Sequence, residues 1–176
     1  MAGNRIGLLA GALGLLAGAA LAQDNNSPFG SFQHDSTLPI EVTADALEVD
    51  QGTQSAVFSG NVVAGQDTLR LTAERVTIFY DTEAQDSETG AIQRLVAEGD
   101  VFLSNGSEQS TGDRAEYDVA SGQIVMEGNV ILTQGENALA CDRLDIDLNG
   151  GTGRCAGQAG GSGRVSATFQ PSQDGN

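Results

Sequence analysis

The chain repeats itself, and the period of that repeat limits its architecture more than any single motif does. Three segments superpose without gaps: Ser59-Gly60-Asn61-Val62-Val63, Glu98-Gly99-Asp100-Val101-Phe102 and Glu127-Gly128-Asn129-Val130-Ile131, with glycines 39 and 29 residues apart. A second element keeps the same phase. It begins at Ala44-Asp45, Ala73-Glu74-Arg75, Gly112-Asp113-Arg114 and Cys141-Asp142-Arg143, so its acids are spaced by 29, 39 and 29 residues. One period of 29 explains both series if the second unit carries a ten-residue insertion at 81–90, expected as an exposed loop. A fixed period of this length identifies a stacked repeat in which each unit buries its apolar face against its neighbours.

The units are made of strands. Each element alternates apolar and polar residues, and residues that tolerate positive φ fall at equivalent places, in Asp50-Gln51-Gly52, Ser121-Gly122 and Asn149-Gly150-Gly151. Trp is absent, Pro occurs three times and Gly 24 times, a composition suited to many short strands and turns. Each unit reads as strand, turn, second strand, glycine corner and third strand. Period-two alternation sends Leu47 and Val49, Val76 and Ile78, Ala115 and Tyr117, and Leu144 and Ile146 to the interior. Arg75, Arg114 and Arg143, with Glu48, Glu116 and Asp145, then face water as charge ladders. Beyond the corners glycine can reset the alternation, and Phe58, Phe102, Met126, Val130 and Leu132 are the inward candidates. Neither end of the stack carries a capping helix in this reading, so both edges are open to a further strand.

The first 22 residues read as a cleaved secretory signal: one positive charge at Arg5, a short apolar run and a terminal Ala20-Leu21-Ala22. The expected organisation is therefore signal 1–22, flexible leader 23–37, folded domain 38–157 and Gly-rich tail 158–176. All eight basic residues are Arg against 24 Asp plus Glu, a net charge of -16 that repels nucleic acid and anionic membrane.

No catalytic pattern stands out. There is no nucleophile elbow, no H-E-x-x-H and no phosphate-binding glycine loop, and the lone His34 lies in the polar leader. Asp45, Glu74, Asp113 and Asp142 form a column that could suggest a calcium site. Their recurrence at the start of successive strands favours a structural use, so no enzyme, metal or cofactor is expected. Cys141 and Cys155 flank the Asn149-Gly150-Gly151 turn, and the spacing fits either a hairpin disulfide or two separately buried thiols.

The string Pro39-Ile40-Glu41-Val42-Thr43-Ala44-Asp45, the Gly-Asn-Val corners and the recurring Ala-Asp/Glu-Arg starts resemble the LptA/OstA-like family of periplasmic lipopolysaccharide transport proteins, over residues 38–157. The resemblance implies an all-β, OstA-like β-jellyroll of stacked antiparallel strands, open at both ends. It also implies a periplasmic bridge for lipopolysaccharide, joined head to tail with its own copies and with LptC-like and LptD-like jellyroll domains. Its lipid-facing positions map here to Ile40, Val42, Phe102, Tyr117 and Val119. With the inward strand positions Leu47, Val49, Phe58, Val76, Ile78 and Met126, these make the expected acyl-chain groove. An LptC-like membrane-associated component and a lipid-free polymerising scaffold are the alternatives. The Gly-rich stretch 150–163 departs from the family pattern by interrupting the expected last strands.

Overall fold

The computed structural model describes residues 37–80, 92–157 and 163–170. The expected signal, the leader through residue 36 with His34, and the insertion at 81–90 lie outside the described residues. Ten β-strands and no helix are found among those residues: β1 (Glu41–Thr43), β2 (Ala46–Asp50), β3 (Ser55–Gln66), β4 (Leu69–Tyr80), β5 (Ile92–Ser104), β6 (Glu108–Asp118), β7 (Gln123–Gln134), β8 (Asn137–Asp147), β9 (Thr152–Ala156) and β10 (Ser166–Thr168). Every neighbouring pair is antiparallel, in the order β1-β3-β4-β5-β6-β7-β8-β10, with β2 also on β3 and β9 also on β8.

The glycine corners do not separate strands; they bend them. At each of five successive strand pairs, from β3–β4 to β7–β8, the register shifts by one residue where the Gly-Asn or Gly-Asp step meets the acid of its partner strand, as between Ser59 and Val62 or Glu127 and Val130. This line of bulges divides the sheet into two leaves. The first leaf holds β1, β10 and one half of every long strand; the second holds β2, β9 and the other halves. Side chains from both leaves join one buried cluster, so the sheet is folded along the bulge line with its inner faces together.

The corner chemistry explains the repeated motif. Gly60, Gly99 and Gly128 have φ of 77°, 80° and 82°, and a Cβ on any of them would run into the carboxylate of Asp45, Glu74 or Asp113. The following Asn61, Asp100 and Asn129 also have positive φ, which short polar side chains tolerate better than branched ones. Asn61 donates to Asp45 Oδ2 at 2.8 Å and Asn129 to Asp113 Oδ2 at 3.3 Å. Asp45, Glu74 and Asp113 thus pack against the bulges, and among the described residues no group of three or more His, Cys, Asp or Glu is placed to bind a metal.

The register aligns the inner residues into rows. One row of the second leaf runs Leu47, Phe58, Val76, Ala97, Ala115, Met126, Leu144, Cys155. The outer face of that leaf carries the charges: Arg143 pairs with Glu127 at 2.6 Å and Asp145 at 2.7 Å, while Glu116 bridges Arg94 at 3.0 Å and Arg114 at 2.9 Å. Hydrogen bonds from Arg94, and then from Arg114, hold the Glu116 carboxyl below its ordinary range. Its folded pKa therefore lies below the unfolded one, so its stabilisation is complete above the usual carboxylate range and is lost as pH falls through the folded value. With about a third of the side chain exposed, we expect Glu116→Gln to cost no more than about 1 kcal/mol near neutral pH. The gap to wild type in urea titrations should narrow as pH falls below the ordinary carboxylate range.

The sequence reading differs from the structure at the C-terminus. It ended the folded domain at residue 157, whereas Ser166–Thr168 returns as β10 and pairs with Ala138, Leu139 and Ala140.

Candidate functional site

The space between the leaves is the feature that could receive a ligand, and the rows above build its walls. Its first-leaf wall is Val42, Ala64, Leu71, Leu103, Ser110, Leu132, Leu139 and Ala167, in register across all eight strands of that leaf. Opposite lie Val76, Ala97 and Met126, and beyond them Ile78, Leu95, Tyr117 and Ile124. Tyr117 connects the two walls: its hydroxyl donates to Gln66 Oε1 at 3.3 Å, and Gln66 Nε2 donates to the Leu38 carbonyl at 2.9 Å. Burial, then the charge of Asp118, pushes the Tyr117 phenol up from its ordinary pKa, which keeps it a neutral donor.

Among the described residues, little free space remains between the leaves at the β1 end. A cavity of about 40 Å³ lies at the β1 end, bordered by Ile40, Leu71, Val76, Leu103, Tyr117 and Ile124 among others. That is well short of the roughly 150 Å³ that admits a benzene ring, so hydrocarbon enters only if the leaves part. The apolar residues expected to line a trough occupy most of the space between the leaves.

The expected lipid-facing residues fall into four groups. Ile40, Val42, Phe58 and Val119 are half-buried against the core, facing inward near its margins. Val76, Ile78, Tyr117 and Met126 are buried within it, Met126 and Val76 completely. Leu47 and Val49 point to the inner face but are 56% and 63% exposed, because β2 is an edge strand with no described residue stacked beyond it. Phe102 faces outward. It pairs with Thr72 and Thr111, while its neighbours Val101 and Leu103 are buried. The bulge at Gly99-Asp100 sets this facing, and Val63 and Ile131 take the same outward position after the other two corners. The alternation missed Ala64, Leu71, Leu103 and Ile124 as wall residues; counting two and four residues past each corner glycine finds Ala64 and Leu103.

Both edges present apolar side chains to water. Leu38, Leu47 and Val49 lie at the first edge and Val165 and Phe169 flank β10 at the last. The last edge is clipped by a disulfide between Cys141 and Cys155, whose Cα atoms are 5.8 Å apart. Cys141 pairs with Val130 in the first leaf and Cys155 with Leu144 in the second, so the bond crosses the fold line.

Residues 41–152 match the family described as LptA/(LptD N-terminal domain) LPS transport protein. The chain belongs to that family. An LptA/LptD N-terminal domain accounts for nearly every described strand, from β1 into β9. The fold is also that of LptH, described as the LptA-homologous periplasmic component of the conserved lipopolysaccharide transport device from Pseudomonas aeruginosa. The match has a TM-score of 0.67 and 21% identity over 78% of this chain and 99% of LptH. An uncharacterized protein of Rhizobium meliloti (strain 1021) is 37% identical over 101 residues, 56% of this chain and 54% of that relative. The match thus spans about half the relative's length.

Proposed function

We propose that this chain is a periplasmic carrier of lipopolysaccharide that shelters acyl chains between its leaves and passes them between stacked jellyrolls on the way from the inner to the outer membrane. The observation that carries this reading is the set of inner rows, apolar along nearly the whole stack and ending in exposed Leu47 and Val49 at one edge and Val165 and Phe169 at the other. Hydrocarbon in water costs roughly 0.8 kcal/mol per methylene, so a ligand with several acyl chains supplies enough to offset parting the leaves. No covalent chemistry is needed. The sugar and phosphate groups stay outside, away from a surface with a net charge of -16.

Edge strands β1 and β2 of one copy, set against β9 and β10 of the next, would continue both leaves by antiparallel or parallel pairing. The same edges suit LptC-like and LptD-like jellyroll domains. Protein isolated from the periplasm should bring lipopolysaccharide with it, and depletion of the protein should stall that lipid before the cell surface. Lipid reaching the surface at an undiminished rate in depleted cells would refute the carrier.

The narrow space between the leaves favours a second reading, a lipid-free polymerising scaffold built from the same open edges. Concentration-dependent fibres with no bound lipid would select it.

A further inference from the structure

Ser110 interrupts a wall that is otherwise apolar. Three residues before each corner acid the repeat places Val42, Leu71, Ser110 and Leu139, so the third unit alone puts a hydroxyl where the others put hydrocarbon. Ser110 is 0% exposed, lies between Leu103 and Leu132 in register, and its Oγ has no hydrogen-bond partner among the described residues. Two residues earlier Glu108, also 0% exposed, stands where the first two units have Ile40 and Leu69. A buried hydroxyl without a partner destabilises a fold, and native structures hold few of them. Hydrocarbon at this position would pack better, as it does in the other units.

We infer that Ser110 is a hydrogen-bonding site for an oxygen carried on the hydrocarbon portion of the ligand, a hydroxyl or a carbonyl on an acyl chain. This rests on the acyl-carrier reading and adds a preference within it. A serine hydroxyl donates one hydrogen bond and accepts others, so it serves either oxygen type. Leu103, its register neighbour on β5, borders the interior cavity, so a chain that parts the leaves there comes alongside Ser110. A purely methylene chain leaves the hydroxyl unpaired, and a chain with an oxygen at that depth satisfies it. The result is selection among acyl chains by an oxygen substituent.

The test compares binding of hexadecanoate with that of 3-hydroxy- and 12-hydroxyhexadecanoate to the full chain and to Ser110→Ala and Ser110→Thr. Wild type should favour at least one hydroxylated probe by about tenfold, the worth of one net hydrogen bond. Ser110→Thr should keep that preference. Ser110→Ala should lose it while binding hexadecanoate as before and melting at a higher temperature. Equal binding of all probes by wild type, or a preference that survives in Ser110→Ala, would overturn the inference and leave the carrier intact. If no probe binds to any of the proteins, the carrier reading fails and the Ser110 site fails with it.

Discussion

Replacing Met126 with Ala should lower the free energy of unfolding by about 2–5 kcal/mol, the range for removing a large side chain from a packed core. Met126 is 0% exposed and sits in register between Ala115 and Leu144. Ala115 is too small to fill the gap, and both strands are held by ladder hydrogen bonds on each side, so collapse around the lost side chain is limited. Urea titration measures the loss directly, and the melting temperature should drop by roughly 10 °C or more. Phe102→Ala provides the contrast: it removes a larger side chain from the outer face and should cost far less. Equal losses at the two positions would mean that the facing described for them is wrong.

Removing the disulfide should have the next largest effect. The bond closes a loop with a sequence separation of 14, for which chain entropy gives about 3 kcal/mol. Its placement concentrates the effect at the last edge, since it ties β9 in the second leaf to the first-leaf part of β8 across the bulge line. Cys141→Ser/Cys155→Ser should unfold at correspondingly lower denaturant. Reductant should destabilise wild type by a similar amount and leave the double variant unchanged. Insensitivity of wild type to reductant would show that the bond carries no stability.

The repeat made most of the fold legible because each unit solves the same packing problem. The in-phase acids and Gly-Asn/Asp steps marked the corners, which the structure shows to be bulges; positive φ, expected at the turns, occurs at Gly122 and Gly151 but not at Gly52, and falls also on the corner steps. Facing beyond the corners was harder. Phe102 was an inward candidate beyond the corner and a lipid-facing position under the resemblance. The bulge had the deciding effect, and Val63 and Ile131 at equivalent positions carried that information in the sequence. Leu47 and Val49 were assigned the correct face but not their exposure, because alternation reports direction and says nothing of what stacks on an edge strand. β10 is three residues long beyond a Gly-rich stretch, too short for its alternation to register. The width of the space between the leaves depends on how they approach each other, a property of tertiary packing that no local pattern contains.

The central claim is that hydrocarbon lies between the leaves, and neighbouring residues of one strand face opposite sides of that claim. A photo-crosslinking residue placed singly at Leu103 or Tyr117 points inward, and at Phe102 or Glu116 it points outward. After irradiation of living cells, lipid adducts should form at 103 and 117 and be absent at 102 and 116. Adducts at 102 and 116 with none at 103 and 117 would place the lipid on the outer surface and contradict the account.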